Sequence, residues 1–401
     1  EIYTLSLHDA LPILACGGLG QVAVAADPEH GIEAKTAIVA LSQGDVIVNV
    51  ERGEVKTAVY GGSNVNGVLQ KDATVTLIGG TVGDSNNQNR DVVFGGGKGA
   101  PTLVNGNVTV NVGTMTPATP PAVPTYTGNA TIHGHVYGGG ELGNTNASKP
   151  ESELVFDATK KTRVNLYAGT INGYAYGGAL GSAETPAYVG GDSVIVTLDG
   201  AKVHQVFGAN NINGTPKGHV LVHVKRTTNF TSNDYKENTE VPRTSRTTYD
   251  VEAVYGGGNK ADYVPTNATL VTDPEVEGYD PGNAAKVAAA TAEVLIEGCQ
   301  KTSINYVYGG GNAAAVPATD VTVKGTYIIN TLYGGGNGSG YMDPPTNSIP
   351  NPGANIGIYK DGETPTNYGT GKAVTKLLGG YINNVYGGSN TKGDVRGGTD
   401  V

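Results

Sequence analysis

Residues Val321 to Asn337 read Val-Thr-Val-Lys-Gly-Thr-Tyr-Ile-Ile-Asn-Thr-Leu-Tyr-Gly-Gly-Gly-Asn. Val321, Thr322 and Val323 alternate with a period of two, the pattern of a half-buried strand. Gly325 interrupts the run, a second apolar stretch ends at Tyr333, and three glycines and an asparagine follow. The stretch is therefore expected to form a strand, a glycine turn, a second strand and a glycine corner. Glycine suits such a corner because positive φ costs it little, and Asn tolerates the left-handed region next best.

The same unit recurs along the chain, and self-similarity of this kind marks repeat architectures. Its aromatic anchors are Tyr60, Phe94, Tyr137, Tyr176, Phe207, Tyr255, Tyr308, Tyr333 and Tyr386, each followed by Gly-Gly or Gly-Ala. Asn stands after the glycines at Asn64, Asn210, Asn259, Asn312, Asn337 and Asn390. Alternating runs precede most anchors, as in Val46–Val50, Val108–Val112, Val194–Leu198 and His219–Val224. Insertions fall in two places: between the two strands, at Thr114–Thr127 and Lys225–Thr248, and after the corner, at Leu142–Lys161, Lys260–Ala290 and Gly338–Gly371.

A unit of about 18 residues cannot bury a core alone, so copies must stack. The expected fold is all-β: a right-handed parallel β-helix, or β-solenoid, with inserted loops, in which the anchors stack along the axis and the asparagines form an amide ladder. The adjacent Val and aromatic residue should face opposite ways, with the Val buried and the ring at least half covered. A row of antiparallel hairpins is the alternative, suggested by Gly79-Gly80 and Gly379-Gly380. Helix is expected only at Asn283–Ala292.

By organisation, residues 45–390 form about nine units, 14–44 an N-terminal segment or cap, and 391–401 the start of a further, truncated unit. Residues 1–13, Glu-Ile-Tyr-Thr-Leu-Ser-Leu-His-Asp-Ala-Leu-Pro-Ile, share nothing with the repeats and back-translate codon by codon into a sequencing-library adapter. They are expected to be foreign to the protein.

The units, with their Tyr-Gly-Gly-Gly-Asn corners over Asp45 to Asn390, resemble parallel β-helix surface repeats: large adhesin-like proteins of gut Bacteroidota and, more loosely, autotransporter passenger domains. The resemblance implies export and a secreted or cell-surface location. It brings no catalytic residues.

Composition limits the chemistry. The 401 residues include 62 Gly and no Trp, and the formal net charge is −10, with no basic footprint for nucleic acid. No apolar run is long enough to span a membrane. Two cysteines, Cys16 and Cys299, allow one disulfide and no framework. Gly95–Ala100 lacks the spacing and hydroxyl of a phosphate loop. The acidic stretch Asp273–Asp280 reads as a solvated loop before a cation site. His133 with His135, and His219 with His223, share strand faces but lack the convergent ligands of a zinc site. No metal or other cofactor is expected.

Two functional readings follow. The first is a rigid structural or adhesin-like rod presenting variable loops to host or microbial surface glycans or proteins, with end-to-end self-association through open strand edges. Its candidate contact residues are Lys225, Arg226, Phe230, Tyr235, Lys236, Arg243 and Arg246, a loop combining Arg with aromatic rings. The second is a carbohydrate-active β-helix enzyme, a lyase or glycosidase, or a glycan-binding module. The carboxylates available for it are Asp199, Glu252, Glu297 and Asp320. Anchors packed inward favour the first reading, and a cleft with two facing carboxylates favours the enzyme.

Overall fold

In strand Val46–Arg52 the residues Val46, Val48 and Val50 are buried while the intervening positions are partly open. That alternation is repeated strand after strand, and each valine row can be closed only by another of the same spacing. The computed structural model describes residues 2–6, 11–26, 30, 33–88, 90–120, 122–231, 243–265, 269–270, 291–338, 353–360, 366–368 and 370–401. It shows a parallel β-helix. In the first sheet, of eleven strands, the register runs Val46, Ala73, Val108, Thr162, Val194, Val220, Ala292, Thr319, Ala373, every pairing parallel. In the second, of twelve, it runs Val59, Val93, Val136, Ala175, Val206, Val254, Val307, Leu332, Val385, again parallel throughout.

A third face completes each coil. It starts as short strands, Ala40–Ser42, Gly67–Leu69, Leu103–Val104 and Asn144–Thr145. It then thins to single bridges through Val189 and Pro216 and, farther along, Val316, Ile356 and Val395. The coil is thus longer than two strands and a corner. Val46 pairs with Ala73, and Ala292 with Thr319, so an uninterrupted turn takes 27 residues rather than about 18. The inward Val, Ile and Leu of the sheets form one continuous core along the axis. Full burial of such a side chain is worth roughly 1.5–3 kcal/mol.

The hairpin alternative is excluded by the parallel ladders. Antiparallel pairs occur among the described residues only inside insertions and in the N-terminal segment. Thr114–Thr116 pairs with Thr125–Thr127, Ala147–Ser148 with Val155–Phe156, and Thr366–Tyr368 with both Ile358–Lys360 and Thr269–Leu270. Bridges Gln21–Ile38 and Val24–Lys35 lie in the N-terminal segment. Of the expected helix, residues 283–290 lie outside the described residues, and Ala292 opens strand Ala292–Glu297. Ile2–Ser6 runs beside Val46–Arg52, and Leu11–Ala15 beside Glu54–Tyr60. A main-chain ladder accepts any extended backbone, so this pairing carries no information on the origin of residues 1–13. At the other end Thr399 and Asp400 pair with Ala373 and Val374.

The glycines divide into two kinds. Those turning from the first to the second sheet, such as Gly53 at φ 87° and Gly169 at φ 88°, need the left-handed region. Those just after the anchors do not. A Cβ on Gly61 would lie 2.3 Å from the carbonyl oxygen of Gly95, one on Gly138 2.2 Å from that of Gly177, and one on Gly256 2.2 Å from that of Gly309. The corner glycines are therefore required by the close approach of successive coils, not by φ as the sequence suggested.

Candidate functional site

All nine anchors enter one aromatic column. Neighbouring rings, from Tyr60–Phe94 to Tyr333–Tyr386, are stacked with centroids 4.4 to 5.2 Å apart and planes within 13° of parallel. Successive strands are about 4.8 Å apart, which is why identical side chains at equivalent positions stack without adjustment. The column and the valine core lie on opposite faces of the second sheet, as adjacent strand positions must. The rings are covered more fully than expected. Tyr60, Tyr137, Tyr176, Tyr255 and Tyr308 are all buried, and only Tyr386 at the end is half exposed. Burial pushes the hydroxyls of Tyr137 and Tyr176 far above the ordinary tyrosine range, so both stay protonated.

Beside the column runs the expected amide ladder. Asn259 donates to Asn211 at 2.9 Å, Asn312 to Asn259 at 2.8 Å, Asn337 to Asn312 at 2.8 Å and Asn390 to Asn337 at 3.0 Å. Its first member is Asn211. Asn210 instead turns into the corner, accepting from the Ala179 N–H and donating to the Ala187 carbonyl. The ladder also reaches back to the column, always two coils. Asn211 donates to the Tyr137 hydroxyl at 2.7 Å and Asn337 to that of Tyr255 at 3.4 Å, while the amides of Asn259 and Asn390 lie near the hydroxyls of Tyr176 and Tyr308 and moderate the rise that burial causes in their pKa values. Glu141, at the equivalent corner position, accepts from Tyr60. The main-chain bonds from Leu180 to Gly140 and from Asn211 to Ala179 put Leu180 in the same row. By the same two-coil rule Leu180 serves Phe94, which has no hydroxyl, and both belong to one apolar cluster.

One place breaks the rule. Asn312 should serve Phe207, which offers no hydroxyl, so the second amide hydrogen of Asn312 has no partner among the described residues. Next to it the second sheet carries a groove of about 520 Å³. Its outer column in register is Tyr174, Gln205, Ala253, Tyr306, so two smaller residues lie between two tyrosines. Glu252, the ladder asparagines and the edges of Tyr255 and Tyr308 complete the lining, which contains no Lys or Arg. Asn305 donates to Glu252 at 3.0 Å.

The basic loop is largely committed to the body of the protein. Tyr235 and Lys236 lie outside the described residues. The Arg226 guanidinium sits 3.8 Å from the centre of the Tyr126 ring and donates to the Asp199 carbonyl at 2.7 Å, while the Tyr126 hydroxyl donates to the Asp199 carboxylate at 2.7 Å. This clamp holds the Thr114–Thr127 hairpin against the coil and pushes the Tyr126 hydroxyl up to about 12 through burial and the neighbouring carboxylate. Phe230 stacks on His204 with centroids 4.0 Å apart. Arg243 donates to Gln300 at 2.8 Å and lies over Tyr327. Tyr249 donates to the carbonyl of Arg246 at 3.1 Å. Lys225 lines a second groove, of about 500 Å³, with Asp199, Glu297 and Lys301.

The other candidates are paired across coils. Glu297 receives hydrogen bonds from Lys324 and His223, which hold its carboxyl below the usual range. Asp320 receives Lys376 at 2.6 Å. His219 faces Glu293 at 3.1 Å. His133 and His135 lie on the same outer face of the second sheet, as alternation suggests, against Asn172 and Tyr174 of strand Thr170–Tyr176, while the flanking Ile132 and Val136 point into the core. His135 is buried and accepts from the Tyr174 N–H through Nδ1, and burial drives its pKa down to about 4. His133 meets Asn172 at 3.0 Å. Among the described residues no three His, Cys, Asp or Glu converge as metal ligands. Asp273–Asp280 lies outside them. Cys16 and Cys299 are both free thiols, so the possible disulfide is not formed, and burial raises Cys16 to about 11. No helix among the described residues is long and apolar enough to cross a membrane.

The groove residues Tyr174, Gln205 and Tyr306 were not visible as a site in the sequence. The usable signal was Phe207 among tyrosine anchors, and it acquires meaning only once the two-coil spacing is known. In comparisons with known proteins, no family model, no curated protein and no solved structure matches the chain.

Proposed function

We propose that this chain is the rod of a secreted or cell-surface protein, adhesin-like in role, which holds variable loops away from a surface for contact with glycans or proteins. The observation that carries this reading is the unbroken ring column, locked by an amide ladder, with the long insertions leaving at the corners between the faces of the coil. Repetition of one coil gives length and stiffness, and loops at fixed corners change without disturbing the core. The resemblance to adhesin-like repeats of gut Bacteroidota belongs to the same proposal.

The test is adhesion by the whole chain, immobilised on beads, to epithelial cells, mucin and bacterial cells. A second version has the insertions after Gly113 and after Thr227 replaced by tight turns. Adhesion by the first and none by the second, at equal thermal stability, is the expected result. Equal adhesion by both, or none by either, contradicts the reading.

A further inference from the structure

We propose that the groove between Tyr174 and Tyr306 binds a neutral saccharide chain lying along the helix axis. Three coil spacings separate these tyrosines in the register, about 14 Å at strand spacing, which is room for a short run of sugar rings. The volume, about 520 Å³, lies within the range of small-ligand sites.

The polar groups point to the ligand class. The second amide hydrogen of Asn312, the side-chain amide of Gln205 and the hydroxyls of Tyr174 and Tyr306 have no partner among the described residues. They supply donors and acceptors at coil spacing, and the carboxylate of Glu252 adds an acceptor. Aromatic walls present apolar faces to the C–H side of a sugar ring. With no Lys or Arg in the lining and a net charge of −10, a phosphorylated or uronic-acid ligand finds no counter-charge. This inference is independent of the adhesive rod reading, since it concerns the sheet face and not the loops.

The phenylalanine in the tyrosine column makes the proposal testable. Phe207→Tyr supplies the missing hydroxyl, which takes the spare hydrogen of Asn312 without adding bulk to the groove floor. The whole chain is titrated with short neutral glucan, xylan, mannan and galactan oligosaccharides, followed by calorimetry and saturation-transfer NMR. Oligogalacturonate serves as the charged control. At least one neutral oligosaccharide is expected to bind. Its affinity is expected to fall about tenfold in Phe207→Tyr and in Tyr306→Ala, about the worth of one good contact, with the fold intact by circular dichroism. Gln205→Ala, on the partly open sheet face, gives the same readout should either variant not fold. Absence of binding across the neutral panel overturns the proposal. So does binding undiminished in all three variants, or preference for the charged control.

Discussion

The side-chain amide of Asn211 donates to the hydroxyl of Tyr137 at 2.7 Å, across two coils and 74 residues of sequence. Solenoid stability is usually a sum of terms between nearest neighbours. Here some bonds skip a coil, so that the coils of Asn211 and Asn337 are tied to the two before them. A double-mutant cycle on Tyr137→Phe and Asn211→Ala is expected to give a coupling energy of about 1 kcal/mol. Purely additive effects in chemical denaturation would show that the bond contributes nothing.

The corner glycines differ in what a methyl group would meet. At Gly256 a Cβ would lie 2.2 Å from the Gly309 carbonyl oxygen and close to Val294, whereas at Gly388 the nearest atom is 4.0 Å away. Gly256→Ala is expected to cost roughly 3 kcal/mol through overpacking, and Gly388→Ala less than about 1 kcal/mol. Equal effects on the unfolding midpoint would contradict the close-approach account.

His135 sets a pH dependence. Its folded pKa of about 4 lies below the ordinary value of 6.5 because the ring is buried, and its Nδ1 must stay unprotonated to accept from Tyr174. The unfolded chain therefore binds a proton the folded chain refuses. The neutral ring's stabilisation is complete above pH 6.5 and is lost as pH falls toward 4, to the extent of about 3 kcal/mol. Asp91, aligned with His135 across the sheet, has a carboxyl raised by burial and works in the opposite sense at the acid end. Subtracting the stability–pH profile of His135→Gln should isolate the histidine slope between pH 6.5 and 4. Parallel profiles would contradict it.

The Arg226 clamp predicts a local effect. Arg226→Ala removes the cation over Tyr126 and the bond to the Asp199 carbonyl, so the Thr114–Thr127 hairpin loses its anchor. Limited proteolysis within residues 116–124 should become faster, while the melting temperature of the coils stays within about 2 °C. Unchanged cleavage would show that the hairpin is held by other contacts.

Much of the architecture was legible because it is written in short-period signals. Val108, Val110 and Val112 alternate, and nine anchors recur before glycines. The third face was not, since two-residue strands such as Leu103–Val104 and single bridges such as Val189 are too short to show a period. The cause of the corner glycines was also hidden, because it lies in the next coil rather than in the local chain. For the same reason a count of Lys, Arg and rings pointed to the Lys225–Thr248 loop, where Arg226 and Arg243 turn out to be held by Asp199, Tyr126, Gln300 and Tyr327. The groove depends on which residues face each other two and three coils apart, and insertions of varying length erase that spacing from the sequence.

The two phenylalanines of the column test the interlocked ladder most directly. Phe94 looks toward Leu180 and Phe207 toward Asn312, so one added hydroxyl should act with opposite sign at the two places. The measurement is the unfolding free energy of Phe94→Tyr and Phe207→Tyr against the parent chain. Phe94→Tyr is expected to lose about 1–3 kcal/mol for a buried hydroxyl without a partner, and Phe207→Tyr to be neutral or to gain up to about 1 kcal/mol. Loss of the same size in both variants, or none in either, would contradict the two-coil rule on which the account of the column rests.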